Sequence, residues 1–349
     1  MNKIQIMQYR LIGIEETAKC LGLNKQTLYN WISQKKIEYI KIRGAIRFDV
    51  AKLEEWIKQS TIDPQCTVKN KSISLKIQPK TKNGRVKKVK PAFGTNEWSV
   101  ATLNFLNGCS NNCKYCYARY RKTCLKTKTT NNWKTEVLQK TIPKKYKKYE
   151  GTVMFPSTHD ITLDHLDESL LVIERILQPG NDILLVSKPR LECIKAICEK
   201  FKNYKSKILF RFTIGSADSK VLKFWEPKAP DFNERLACLK YAHKNGFNTS
   251  VSCEPMLDLH IDKVVQKTRL YVTKDIWLGK MNQLHTRLRI NGTDDKVTLK
   301  RASQLTEWQC DENILALYDK YKKDKLIKWK DSIKEVVGLK RPTEIGLDV

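Results

Sequence analysis

The sequence predicts an α/β protein: a parallel sheet with crossover helices, preceded by a small helical unit with a hairpin and followed by a helical tail. Two observations predict it. From about Trp98 onward, short apolar runs alternate with helical segments, which is the pattern of parallel strands joined by crossover helices. Ahead of them, residues 11–59 carry a helical apolar period of their own, interrupted by turn residues, and read as a separate unit.

Within that first unit, Ile14 to Leu21 forms a short amphipathic helix. Gly22 lets the chain turn where a side chain is costly. Asn24 then caps a second helix, Lys25 to about Gln34, by accepting from its first backbone amides. Leu28, Trp31 and Ile32 form the buried face of this helix. Two short strands follow, Tyr39–Ile42 and Ile46–Phe48, joined by Arg43-Gly44-Ala45. A last helix, Val50–Lys58, turns Leu53, Trp56 and Ile57 inward. This order of helix, turn, hairpin and tryptophans resembles the excisionase and MerR-type winged helix-turn-helix domain. The resemblance implies that the second helix enters a major groove, with Lys25, Gln26 and Asn30 facing base edges. It implies too that Arg43 and Arg47 on the hairpin contact phosphates. The plainer reading is a polar helical face that is merely solvated, or one that binds protein.

Residues 61–95 read as a basic linker: Asp63-Pro64 breaks the preceding helix, and nine lysines and arginines follow with no acid among them. Between Asp63 and Glu136 the one carboxylate is Glu97. Six strands are then expected, at Val100–Phe105, Thr152–Phe155, Ile183–Ser187, Ile208–Ile214, Thr249–Cys253 and Ile276–Leu278. Helices fit between them at Asp167–Leu177, Leu191–Phe201, Asp231–Asn245 and Ile261–Lys267. The tail reads as mostly helical, over Asn313–Tyr321 and Leu326–Val337.

Directly after the first strand lies Gly108-Cys109-Ser110-Asn111-Asn112-Cys113-Lys114-Tyr115-Cys116, three thiols spaced C-x3-C-x2-C. Iron–sulfur clusters are held by Cys thiolates, and a 4Fe–4S cluster held by three keeps one iron open to another ligand. Zinc sites more often pair C-x2-C units or combine Cys with His, and a disulfide needs an oxidising compartment. The spacing, followed by Tyr117-Ala118, resembles the cluster loop of the radical S-adenosylmethionine (radical SAM) enzymes. Six strand–helix units likewise match the open, partial (β/α)6 barrel of that fold, in which ligands sit at the C-terminal ends of strands.

The strand ends narrow the resemblance. Pro156-Ser157-Thr158-His159-Asp160, Ser187-Lys188-Pro189, Phe212-Thr213-Ile214-Gly215, Glu226-Pro227, Glu254-Pro255 and Gly279-Lys280-Met281-Asn282 look like the spore photoproduct lyase-like branch, often called DNA-repair-photolyase-like. The resemblance implies that Cys109, Cys113 and Cys116 ligate a 4Fe–4S cluster whose open iron chelates S-adenosylmethionine, and that a 5′-deoxyadenosyl radical is released. It implies that Tyr115 supports the loop or lies near the adenine, and that His159 approaches the amino end of the cosubstrate. Lys188 would pair with its carboxylate, and Thr213 would meet the ribose or carboxylate. Ser157 stands where the lyase carries a hydrogen-donating cysteine, and an alcohol is a poor substitute for a thiol in that step. Cys124 and Cys253 are conceivable alternative donors, while Cys193 and Cys198 read as core residues of one helix. Glu226, Arg235 and Glu254 read equally well as ion pairs that position the loops.

The expected organisation is therefore a winged helix-turn-helix domain over 1–60, the basic linker over 61–95, the barrel over 96–285 and a helical extension over 286–349. A net charge of +29 points to a polyanionic partner or to a lysine-rich proteome. No apolar run is long enough to span a membrane, and Met1-Asn2-Lys3-Ile4-Gln5 lacks the pattern of a signal peptide, so the expected address is the cytoplasm. Eleven cysteines, an odd number, fit thiols and a metal site there. The expected partners are DNA, S-adenosylmethionine and an electron donor such as a flavodoxin or ferredoxin. A radical enzyme acting on DNA, by repair or base modification, is the first reading. Trp98, Tyr120 and Trp225 are candidates to stack on an extruded base. An iron–sulfur regulator without turnover, or a radical enzyme acting on RNA or protein, are the alternatives.

Overall fold

The computed structural model describes residues 11–21, 25–33, 37–42, 44–53, 56, 92, 94–139 and 141–346. The chain divides into two units, residues 1–70 and 71–349.

In the first unit, β1 (Leu11–Gly13) leads into α1 (Ile14–Cys20) and α2 (Lys25–Ser33), followed by β2 (Ile40–Ile42) and β3 (Ala45–Asp49). The two helices and the hairpin fall where the apolar period places them. β1 does not: three residues are too few to show alternation, yet β1 pairs antiparallel with β3, Leu11 opposite Asp49, and the sheet order is β1-β3-β2. The core gathers Ile12, Ala18, Leu28, Ile37, Phe48 and Leu53, with Trp31 and Trp56 packed 5.6 Å apart against it. Asp49 accepts from the amides of Ala51 (2.9 Å) and Lys52 (3.3 Å), capping the helical turn over 50–53. The expected turn at Gly22, cap at Asn24 and phosphate contact at Arg43 lie outside the described residues, as does the linker up to residue 91.

The second unit is built on β4 (Ala101–Thr102), β5 (Leu106–Asn107), α3 (Tyr117–Cys124), β6 (Val137–Leu138), β7 (Thr152–Phe155), α4 (Leu166–Leu177), β8 (Asp182–Ser187) and α5 (Leu191–Lys200). It continues through β9 (Ile208–Thr213), α6 (Ser219–Trp225), α7 (Phe232–Lys244), β10 (Asn248–Cys253), α8 (Ile261–Thr268) and β11 (Ile276–Leu278). The tail supplies α9 (Leu284–Asn291), α10 (Lys296–Trp308), α11 (Asp311–Tyr321), β12 (Ile327–Trp329) and α12 (Asp331–Val337). Seven strands form one parallel sheet in the order β12-β11-β10-β9-β8-β7-β4.

Two expectations are corrected. The first strand is shorter than Val100–Phe105, because the ladder with β7 stops at Thr102 and the chain re-pairs as β5 with β6. The stretch Leu326–Val337 is not one helix: Ile327–Trp329 adds a seventh strand beside β11, and the helix begins only at Asp331. Ile327 and Trp329 are buried, and the lysine between them masks a three-residue alternation.

Strand alternation sorts the side chains into two layers. Phe155, Leu185, Phe210, Phe212, Val251, Cys253, Ile276 and Leu278 face the helices. Met154, Leu184 and Trp277 face the other way and pack with Trp98. Two buried cations run through this second layer. Arg211 pairs with Asp275 at 3.1 Å and lies 4.6 Å from the Trp98 ring. Lys330 sits 2.7 Å from Glu97, 3.4 Å from Glu254 and 3.8 Å from the Trp98 ring. Trp98 is thus enclosed between two cations and Trp277, and does not stand at the mouth as a stacking platform. Trp225, also buried, packs against Phe224 and Tyr115. The segment around residues 92–97 is tied to the tail by hydrogen bonds from Ala92 N to the Pro342 carbonyl (2.7 Å) and from Asp331 N to Glu97 (3.0 Å).

Candidate active site

The three thiols sit on the loop between β5 and α3, at the C-terminal ends of the sheet strands. Gly108 opens the loop at φ +103°, and a Cβ there would lie 2.2 Å from the Thr135 carbonyl oxygen. The contact leaves room for Cys109 N to donate to the Trp133 carbonyl at 3.0 Å. Cys109 and Cys113 are buried, Cys116 nearly so, and none is in a disulfide. Cys116 is the N-cap of α3, its sulfur accepting from Arg119 N at 3.4 Å. A helix N-terminus favours a thiolate there.

Side chains from five other segments hold this loop. Asn111 donates to Asp160 at 2.7 Å and accepts from Arg190 at 3.0 Å. Glu136 accepts from Ser110 N at 2.8 Å and from the Thr162 hydroxyl at 3.0 Å. Arg119 reaches back to Asn112 (3.1 Å), whose φ is +51°. From α9, Asn291 donates to the carbonyls of Lys114 (2.9 Å) and Cys116 (3.0 Å). Asp160 is the central acceptor: besides Asn111 it takes the Ser187 hydroxyl, Lys188 N (3.0 Å) and Ile161 N (2.8 Å). Burial pushes its carboxyl above the ordinary range, against the pull of Lys188 and these donors.

A buried ionic set lies beside Cys113. Glu226 is paired with Arg235, accepts from the Tyr115 hydroxyl, and lies 3.9 Å from Lys188 Nζ. Arg235 also donates to the carbonyls of Pro230 (2.9 Å) and Thr213 (3.0 Å). Burial works against the charged form of Glu226, yet Arg235 and Lys188 hold it below its usual value. Burial likewise works against the Lys188 ammonium, and Cys113, Glu226 and Asp160 more than offset it, raising its pKa. All three cluster thiols are pushed up by burial, while Lys188 and Arg235 favour the anion of Cys113, and Lys188 and Arg119 that of Cys116. Buried Nε atoms of Arg119 and Arg287 have no hydrogen-bond partner, and both guanidinium groups lie in the field of Cys116.

The expected site residues fall as follows. Tyr115 is buried, bonded to Glu226 and tilted against Trp225, where it supports the loop. Lys188 and Thr213 sit with Cys113 around the Glu226–Arg235 pair, at the ends of β8 and β9. Ser157 is clamped: its amide donates to Asn104 Oδ1 at 2.8 Å, its hydroxyl accepts from Asn104 Nδ2 at 2.9 Å, and its carbonyl accepts from Tyr117. His159 offers no free nitrogen. Phe105 N donates to Nε2 at 3.2 Å, so the proton is on Nδ1, which faces the Asp160 carbonyl at 3.0 Å. Burial depresses its pKa to about 4. Cys193, Cys198 and Cys253 are buried in the core, and Cys124 is exposed.

Sequence reasoning missed Asn104, Asn111, Asp160 and Glu136 as loop holders; a lone polar residue at a strand end carries no periodic signal. Glu226 and Arg235 are an ion pair as one expectation had it, while Glu254 pairs instead with Lys330. In the first unit, Lys25, Gln26 and Asn30 are exposed on α2; Gln26 donates to Asn30 at 3.3 Å and Lys25 pairs with Glu15. Arg47 is half-buried and donates to the Ile46 carbonyl at 2.9 Å.

The donor set of the loop fits an iron–sulfur group: three free thiols, two buried and one half-buried, with cations placed to balance the charge of Cys113 and Cys116. Among the described residues, no three or more His, Cys, Asp or Glu side chains are gathered to hold a metal ion.

A family model described as the radical SAM superfamily matches residues 103–301, more than half of the chain. The chain belongs to the radical SAM superfamily. The family implies S-adenosylmethionine and an iron–sulfur cluster. A model described as a helix-turn-helix domain matches residues 11–61. Among curated proteins, the chain is 26% identical over 167 residues to the uncharacterized protein ORF301 of Acidianus two-tailed virus, across 44% of this chain and 55% of that protein. It therefore spans about half the length of that relative. Among solved structures, spore photoproduct lyase complexed with dinucleoside spore photoproduct aligns with a TM-score of 0.40 at 16% identity, over 56% of this chain and 61% of that one. A double mutant of the same lyase, with bound AdoMet and dinucleoside spore photoproduct, aligns with a TM-score of 0.40 at 18% identity, over 60% and 65%. Among the described residues, no helix is long and apolar enough to cross a membrane.

Proposed function

We propose that Cys109, Cys113 and Cys116 hold a 4Fe–4S cluster, that S-adenosylmethionine binds beside it at the strand ends, and that the enzyme acts on DNA brought to it by the helix-turn-helix unit. The observation that carries this reading is the buried ionic set of Lys188, Glu226 and Arg235 packed against the cluster loop. A cluster held by Cys109, Cys113 and Cys116 would supply the electron for reductive cleavage of S-adenosylmethionine.

The chain's own part is position and exclusion of water. Lys188 offers a half-buried ammonium to the cosubstrate carboxylate, a charge-assisted contact stronger than a neutral one. Thr213 lies beside it, its carbonyl fixed by Arg235. Tyr115 and Glu226 lock the loop between two of its thiols. Ser157 and His159, both clamped by local hydrogen bonds, shape the β7 end of the pocket without donating to the cosubstrate. Ser157 also carries no hydrogen atom as weakly held as a thiol's, so the reaction is proposed as repair or modification of a base without assignment to the spore lesion.

Two features support DNA. The exposed face of α2 carries Lys25, Gln26 and Asn30, side chains that suit a major groove. Residues 94–135 hold one acid, Glu97, which is buried against Lys330, so their exposed charges are all cations. Those cations include Arg121, Lys126 and Lys134, on or just beyond α3. The test is anaerobic incubation with S-adenosylmethionine, dithionite and either ultraviolet-damaged or intact duplex DNA. The reading predicts 5′-deoxyadenosine or turnover of S-adenosylmethionine together with altered DNA. Radical formation with both DNAs unchanged would shift the substrate to RNA or protein, and no S-adenosylmethionine cleavage at all would leave an iron–sulfur regulator.

A further inference from the structure

Outside the cluster loop, α10 presents an open concavity of about 500 Å³ lined by Lys296, Val297, Lys300, Arg301 and Gln304. We propose that this concavity docks the reductant of the enzyme, a small acidic one-electron carrier protein. The proposal rests on the cluster assignment made above and adds the face through which the electron arrives.

Position is the first argument. Lys114 lies between Cys113 and Tyr115, both of which engage the Glu226 set, while its own side chain leaves the loop toward α10. Its Nζ donates to Thr298 at 2.7 Å and lies 4.0 Å from the Phe224 ring. The Arg301 guanidinium lies 4.0 Å from the same ring. Lys114 and Arg301 therefore share Phe224, and the concavity adjoins a residue next to a cluster ligand. A carrier seated there reaches the loop from outside, leaving the strand ends free for cosubstrate and substrate.

Charge and apolar surface are the second argument. Among the described residues none of Lys296, Lys300 and Arg301 stands in an ion pair; Asp295, the acid next to Lys296, pairs with Lys114 at 3.9 Å and accepts from the Thr298 hydroxyl. Three cations outside any ion pair, against the one adjacent acid Asp295, steer an acidic partner toward the loop. Val297 is 60% exposed among them, so the patch has an apolar centre inside a charged rim. That composition suits a brief protein–protein encounter of the small, electron-transfer kind better than a phosphate backbone, which offers no apolar surface to cover. The carrier gives up one electron and the cluster takes it up; no bond forms or breaks at the interface.

The test compares the wild-type protein with the double variant Lys296→Glu/Lys300→Glu, both fully loaded, using flavodoxin as the acidic probe. Binding of oxidised flavodoxin is titrated at low ionic strength, and reduction by its hydroquinone is followed beside reduction by dithionite. The expected result is a loss of about tenfold in flavodoxin affinity and rate, largely abolished by salt in the wild type, with dithionite-driven 5′-deoxyadenosine formation unchanged. Equal flavodoxin affinity in the two proteins overturns the proposal. So does a variant that loses duplex DNA binding while keeping flavodoxin binding, which makes the patch a nucleic-acid surface. Failure of dithionite to yield 5′-deoxyadenosine in the wild type strikes the proposed function instead, and the flavodoxin titration still decides the docking face.

Discussion

His159 shows how a residue's surroundings settle its role. Both ring nitrogens are committed to backbone groups, and the Phe105 and Phe155 rings pack on it at 4.9 and 6.0 Å. Its pKa is depressed from 6.5 to about 4 by burial. Above about pH 6.5 the imidazole is neutral in folded and unfolded chains alike. Below it, the unfolded chain binds a proton that the folded site refuses, so stability falls as pH drops toward about 4. The loss reaches about 3 kcal/mol for this one group. Urea unfolding across that window is expected to show it, and His159→Gln is expected to flatten the dependence. Gly108 is the second residue-scale test. With φ +103° and a backbone oxygen 2.2 Å from where a Cβ would stand, Gly108→Ala forces the loop to shift. It is expected to cost at least about 2 kcal/mol by denaturation, with reduced iron content after reconstitution. The sequence showed the three cysteines and their glycine by spacing alone. It did not show that Asp160, the neighbour of the expected His159, is the acceptor that ties the loop to β7 and β8, because that role depends on contacts between residues 49 and 28 positions apart.

Among the elements, long and strongly apolar strands were legible. β7, β8, β9, β10 and β11 lie within a residue of their expected bounds; each is buried on both faces along most of its length, and all but β10, whose sequence is Asn-Thr-Ser-Val-Ser-Cys, are mainly apolar. β1 and β12 were not, because three residues beside a charged stretch carry no period of their own. Their partners place them: β3 offers an edge to β1, and β11 offers one to β12. α2 is the element on which the proposed DNA recognition turns. Gln26→Ala and Asn30→Ala are each expected to lower affinity for a selected duplex by about 1–3 kcal/mol, with little effect on random DNA. Gel-shift titration over a salt series checks this, and equal loss on all sequences would show that α2 does not read bases.

For the whole second unit, the tail is structural and does more than extend the chain. Lys330 follows β12, is almost fully buried, and neutralises Glu97 near the start of the unit and Glu254 at the end of β10. Its ammonium also donates to the Gly94 carbonyl at 2.9 Å. Lys330→Met leaves two acids without their shared cation, and the expected cost is about 3–5 kcal/mol in urea unfolding. Adding Glu97→Gln to it is expected to recover part of that loss, which a double-mutant cycle measures. This buried charge was not legible in the sequence, where Lys330 is one lysine among many in a chain of net charge +29.

The central claim is that three thiols on one loop hold a cluster that binds S-adenosylmethionine. Iron and acid-labile sulfide in the anaerobically reconstituted protein, with its electron paramagnetic resonance spectrum after reduction recorded with and without S-adenosylmethionine, tests it most directly. The account predicts about four irons and four sulfides per chain, a spectrum that changes when S-adenosylmethionine is added, and loss of both in Cys113→Ala. Stoichiometric zinc with no sulfide, or a cluster whose spectrum S-adenosylmethionine leaves untouched, would contradict it.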